Sequence, residues 1–199
     1  MKTIKLGILG STNGTDMQAI VDAIEQKKLD AKIEIVVSDK EKALILERAK
    51  KYNIETFAID YKKFANRATA EAQIIKKLKA KKVDLVLLIG FMKIISPHFV
   101  SKFRHHIWNI HPSLLPKYAG AMNLDVHEEV LKNKEKETGA TLHEVSEVVD
   151  AGKIIMQKKV KIAPNESVQS LKEKVQKAEQ ECFLEAIKMV IDGKLIIGK

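Results

Sequence analysis

Asn109 and His111 stand two residues apart at the end of an apolar run, just ahead of Pro112-Ser113-Leu114-Leu115-Pro116. Residues i and i+2 of a strand point to one face, so a strand here projects amide and imidazole together. Two prolines then force the chain into an irregular loop. An amide donor beside a titratable donor can stabilise an oxyanion as it forms. Taken alone, the pair equally fits a strand end whose polar residues face solvent. Asp150, ahead of Ala151-Gly152, is a third candidate. Alone it reads as a turn-forming aspartate. Brought near His111, it would raise the imidazole pKa and fix its tautomer, a contact that needs tertiary structure. A fourth is the turn-rich loop Gly10-Ser11-Thr12-Asn13-Gly14. At the carboxyl end of a parallel strand and ahead of a helix, its backbone N–H groups would favour a phosphate.

Other chemistries fit less well. Gly7, Gly10 and Gly14 lack the G-x-G-x-x-G spacing of dinucleotide sites, so Asp39 reads as a helix-start or turn residue rather than a ribose-binding acid. His105-His106 are adjacent and have no histidine or acid cluster at helical spacing. With one cysteine and no H-E-x-x-H, no metal site is expected. Ser113 follows His-Pro and lies outside any G-x-S-x-G elbow, which argues against a serine hydrolase.

The elements that must position these residues alternate. Apolar runs at 4–9, 33–37, 56–59 and 83–89 read as strands, the last as one covered on both faces. Between them, 15–26, 43–52 and 68–81 read as helices, the first opened by a capping box over Thr15-Asp16-Met17-Gln18. A short helix is expected near Pro97, a strand at 107–111, a helix at 126–132, and strands at 140–145 and 154–162. Residues 168–191 form a long amphipathic helix with Cys182 on its apolar stripe, where it reads as a small core residue. Alternation of this kind implies an α/β fold, a doubly wound and mostly parallel sheet with right-handed crossovers.

The chain has 199 residues, 45% of them hydrophobic, enough for one sizeable domain or two closely joined halves. Its net charge of +9 comes from lysines scattered along helix faces, often beside glutamates. That distribution suits attraction of small anions better than nucleic-acid binding. No apolar run approaches the ~20 residues that span a bilayer. The first residues show no signal-peptide pattern, and one cysteine fits a reducing, cytoplasmic setting.

Together these segments resemble the phosphoribosylglycinamide formyltransferases of purine synthesis. The resemblance runs through Gly14-Thr15-Asp16-Met17-Gln18-Ala19-Ile20, Gly90-Phe91-Met92-Lys93-Ile94-Ile95-Ser96-Pro97, Asn109 to Tyr118, Thr138 to His143, and Asp150-Ala151-Gly152. It covers essentially the whole chain and implies one formyltransferase domain over 1–199. Its Rossmann-type first half (1–100) would bind phosphate, and its second half (101–199) would carry catalysis and folate. The family's catalytic trio maps to Asn109, His111 and Asp150. An acceptor amine would attack the formyl carbon of formyltetrahydrofolate, with His111, protonated and held by Asp150, and Asn109 donating to the oxyanion. No metal is needed.

The same resemblance maps phosphoribosylglycinamide to Gly14, Thr15, Asp16, Gln176 and Glu179. Folate maps to Arg67, Met92, Lys93, Ile94, Ile95 and Asn109, with Ser146, Glu147, Val148, Val149 and Asp150 around the pterin. Arg67 would face the glutamate tail. Small-molecule substrates are the implied partners, and a homodimer is left open. Other acceptors, a sugar-nucleotide amine or water, remain as alternatives. Three departures stand out. Asp16 replaces a common asparagine, and is expected to point away as a helix-start residue, so that Asp16→Asn leaves the acceptor KM nearly unchanged. Lys93 replaces a frequent arginine, and Ala119-Gly120-Ala121-Met122-Asn123 replaces a Pro-Gly loop.

Overall fold

The computed structural model describes residues 3–121 and 125–198. Successive residues of the central strands fall into two different cores, as the strand period of two requires. Leu87 and Trp108 pack on one face with Met17, Ile20, Val175 and Phe183, while Val86 and Ile107 pack on the other with Ile74, Leu78 and Phe99. A sheet buried on both faces needs helices on both faces, and the order of elements supplies them.

The strands are β1 (Ile4–Leu9), β2 (Ala31–Ser38), β3 (Glu55–Ala58), β4 (Leu85–Leu88), β5 (Ile107–His111), β6 (Glu137–Glu144) and β7 (Ile154–Lys161). The helices are α1 (Thr15–Glu25), α2 (Leu44–Lys51), α3 (Arg67–Ala80), α4 (Pro97–Lys102), α5 (Val126–Lys132) and α6 (Val168–Ile191). They surround one sheet of order β3-β2-β1-β4-β5-β6-β7. The first five strands are parallel, as expected from the alternation. β6 runs antiparallel to β5, and β7 antiparallel to β6. The loop between Glu144 and Ile154 is too short for a crossover helix, so these two strands close as a hairpin.

The capping box expected at Thr15 does not form. Gly14 takes the cap position at φ 68°, with no side-chain hydrogen bond closing the helix end. A Cβ there would come within 2.4 Å of Ile45, so α2 packs directly on the turn. The Thr15 hydroxyl instead accepts from Gln176 Nε2 at 2.6 Å, joining the start of α1 to α6. Asp39 lies in the bend after β2 and accepts from the Ser11 hydroxyl. Among the described residues no helix is long and apolar enough to cross a membrane.

Candidate active site

From β1 the chain proceeds to β2 on one side, whereas β4 lies on the other. Open α/β sheets hold ligands at such a reversal, beyond the carboxyl ends of the strands. The loops there are tied together. Ser11 N donates to the Gly90 carbonyl at 3.0 Å, and Met92 N donates to Ser11 Oγ at 2.9 Å. They wall a cavity of about 460 Å³ that extends across β5 to the β6–β7 loop and α6.

Asn109 and His111 both line this cavity, as their spacing along β5 requires. The loop behind them is held by a buried polar knot. Ser113 Oγ donates to the Lys117 carbonyl at 2.6 Å, Thr141 Oγ1 donates to the Ser113 carbonyl at 2.7 Å, and Leu115 N donates to Thr141 Oγ1 at 3.0 Å. Ser113 is thus a buried structural hydroxyl. Its loop turns back so that His111 Nε2 donates to the Tyr118 carbonyl at 3.0 Å.

The β6–β7 loop brings Asp150 over the pair. Asp150 has φ 52°, a left-handed conformation that aspartate tolerates better than most residues. Its Oδ2 lies 3.4 Å from His111 Nδ1 and accepts from Gly120 N at 2.9 Å, while Oδ1 lies 3.5 Å from His143 Nε2. Burial opposes ionisation of Asp150, but His143, the Gly120 N–H and His111 together hold its pKa below the usual carboxylate value.

His111 has the opposite balance. Burial pushes its pKa below the ordinary imidazole value, although Asp150 and the Tyr118 carbonyl both pull upward. The rise expected from Asp150 is therefore present but outweighed, because the ring is 7% exposed. With Nε2–H committed to Tyr118, a neutral ring turns its Nδ1 lone pair toward a carboxylate. A proton arriving at Nδ1 would relieve that contact. The ring is poised to gain positive character when negative charge forms beside it. Replacing Asp150 with Asn removes an upward influence, so the His111 titration midpoint should move to still lower pH. Imidazole NMR resonances followed against pH would show this; an unmoved or raised midpoint would contradict the coupling.

At one end of the cavity, Gly14, Thr15 and Asp16 face Gln176 and Glu179 of α6. At the other, Met92, Lys93, Ile94 and Ile95 from the β4 loop and Ser146 to Val149 from the β6–β7 loop form the wall. Met92, Ile94, Val148 and Val149 are at least 40% exposed, an apolar rim in contact with solvent.

Residues 4–187 match the formyl transferase family. The chain belongs to that family. A phosphoribosylglycinamide formyltransferase from Haemophilus influenzae is 38% identical over 96% of this chain and 89% of that protein. The glycinamide ribonucleotide transformylase 1 structure from Symbiobacterium toebii superposes with TM-score 0.91 at 33% identity, covering 98% of this chain and 91% of that one. The trifunctional purine biosynthetic protein adenosine-3 of Drosophila melanogaster is 40% identical over 98% of this chain, which spans 14% of that protein's length.

Within this formyl transferase fold, one expectation changes. Asp16 does not point away. It is 6% exposed and lines the cavity, because Gly14 starts α1 one residue ahead of Thr15 and the second helical position faces α6. Arg67 stands outside the cavity wall. Its Nη1 donates to the Ile94 carbonyl at 3.0 Å and its Nε is 3.9 Å from buried Glu71, so it braces the β4 loop from behind. Lys93 lines the cavity with its ammonium 5.9 Å from the centre of the Tyr61 ring. Of the segment 119–123, Met122 and Asn123 lie outside the described residues.

The sequence reading also missed residues. His143 sits directly opposite Asn109 across the β5–β6 ladder. Its Nδ1 lies 2.9 Å from the Glu144 carbonyl, and its Nε2 lies 3.1 Å from Asn109 Nδ2 and 3.5 Å from Asp150 Oδ1. His143 thereby orients the amide that faces the cavity. Its only signal was membership of the matching segment from Thr138; its register depends on β6 running antiparallel. His127 and Lys172 also line the cavity, and nothing in their local sequence marked them.

Proposed function

We propose that this protein transfers the formyl group of formyltetrahydrofolate to the glycinamide amine of phosphoribosylglycinamide, in the cytoplasm. One observation carries the reading. A single cavity joins a glycine-started helix terminus to an apolar rim, with Asn109, His111 and Asp150 between them. The names of the relatives agree with it.

The acceptor's phosphate would lie against the backbone N–H groups at Gly14 to Asp16, where the helix dipole favours an anion. Its ribose would meet Gln176 and Glu179, so that its amine reaches toward Asn109 and His111. The pterin would lie among Ser146 to Asp150, with Met92 and Ile94 along the plane of the donor. Lys93 and Arg67 would serve the negatively charged glutamate tail at the rim.

In the reaction the amine attacks the formyl carbon, and the carbonyl oxygen becomes an oxyanion. Asn109, held by His143, and His111, held by Asp150, supply its donors. Asp150 is placed to help move the proton lost by the amine to the leaving nitrogen of tetrahydrofolate as the tetrahedral intermediate collapses and that carbon–nitrogen bond breaks. Much of the acceleration comes from holding both substrates in one cavity.

The test is direct. Purified protein, formyltetrahydrofolate and phosphoribosylglycinamide should give formylated acceptor, with little tetrahydrofolate released in buffer alone. Release at the same rate without acceptor would mark a hydrolase and overturn the reading.

A further inference from the structure

Asp16 and Glu179 enter the acceptor end of the cavity from two different helices. Asp16 is buried, and its Oδ1 has no hydrogen-bond partner among the described residues. Among those residues neither carboxyl lies within ion-pair distance of a cation. A buried carboxyl with one oxygen unpartnered and a second carboxyl facing it is costly unless it is neutralised or a ligand meets it. The same end holds His127, whose Nδ1 is also buried and unpartnered.

The charged and titratable groups around Asp16 are few. α6 contributes Glu179 and Lys172, and α5 with its cap contributes His127 and Asp125. On the flank of α1, Asp22 and Arg48 are both engaged by Gln18. Asp39, after β2, is engaged by Ser11. Under the function proposed above, this is where a phosphate dianion must sit, and an ionised carboxylate would repel it.

We propose that the acceptor enters this site together with a proton, carried by Asp16 as a neutral carboxyl whose O–H donates to the acceptor's phosphate. The proton is drawn from solvent on binding and returned when the product leaves, so it takes no part in the formyl-transfer balance. An asparagine at this position supplies an amide donor of the same shape and needs no proton. Asp16 therefore makes acceptor binding in this chain pH-dependent where asparagine would not.

The direction agrees with the environment of the free site. Burial raises the Asp16 pKa to about 7, with hydrogen bonding from Gln180 opposing it, and burial together with Asp16 raises that of Glu179. A bound phosphate raises Asp16 further. As pH climbs above neutrality the proton becomes harder to recruit, and the acceptor KM rises.

The experiment measures the phosphoribosylglycinamide KM of the wild type and of Asp16→Asn across neutral and mildly alkaline pH. Titrations of the acceptor's own phosphate and amine are common to both proteins and cancel in the ratio. The wild-type-to-variant KM ratio should rise by up to about tenfold per pH unit above the Asp16 pKa of the free site, and level off above that of the complex. Calorimetry of acceptor binding in buffers of different ionisation enthalpy should show proton uptake that the variant loses. A ratio that stays constant with pH, with equal proton uptake, would overturn the proposal. Neither turnover nor binding of phosphoribosylglycinamide at any pH would overturn the functional reading and this proposal with it, a result distinct from a constant ratio.

Discussion

Replacing His111 with alanine should lower kcat by about 100- to 1000-fold, the usual cost of removing one donor to a developing oxyanion. The acceptor and donor KM values should change far less, since neither ground-state substrate carries the charge that His111 meets. Asn109→Ala should behave alike, and the double variant should cost less than the product of the two, because both donors serve one oxygen. The fold should persist, since β5 is held by its neighbours on both sides and His111 is its last residue. Steady-state kinetics with circular dichroism would check this. Near-normal turnover in both single variants would refute the mechanism. The buried ring suits the role because an oxyanion beside it offers Nε2–H a charged acceptor in place of the Tyr118 carbonyl, while Asp150, 3.4 Å from Nδ1, steadies the positive character that develops on the ring.

Gly152→Ala should reduce kcat by roughly 100-fold, the scale expected when a reacting group is displaced by about 1 Å. A Cβ at Gly152 would stand 1.7 Å from the Glu144 carbonyl oxygen and 2.7 Å from its carbon. Backbone on the facing strand end cannot swing aside as a side chain can, so the turn that carries Asp150 must move. Asp150 would then leave its positions 3.4 Å from His111 and 3.5 Å from His143. Because the added methyl lies in a surface loop rather than a core, the loss of turnover should exceed any loss of thermal stability. The His111 titration would report the displacement independently, moving to lower pH as in Asp150→Asn. Wild-type kcat in a folded Gly152→Ala protein would show that the turn does not control the site.

These outcomes depend on parts of the molecule that were unequally visible in the chain. The parallel half was legible because strand and helix periods differ and each apolar run has a definite length. β4, buried at every position, and α6, with its apolar stripe through Val175, Ala178 and Cys182, stand where the patterning places them. Cys182 is buried there and its thiol is pushed up to about 12, as suits a core residue. The start of α1 was misread because a Thr-x-x-Gln pattern has the form of a capping box, while the preceding left-handed glycine takes the cap. The contact of Arg67 with the β4 loop was not legible, because a long side chain at the first turn of a helix can reach a ligand or a neighbouring loop, and local sequence does not choose between them.

What the sequence by itself determined is the set of chemical groups and their local facing. Asn109 and His111 share a strand face because side chains alternate along β structure, and Gly14 precedes a helix whose amides are free at its start. Only the tertiary structure decided which groups meet. Asp150 reaches His111 across 39 residues of chain, His143 reaches Asn109 through an antiparallel register, and Asp16 meets Glu179 between two helices. Those encounters set desolvation and the nearest charges, which local sequence does not encode. They make His111 a reluctant base, keep Asp150 ionised, and turn Asp16 from a helix-start residue into a buried acid of the cavity wall.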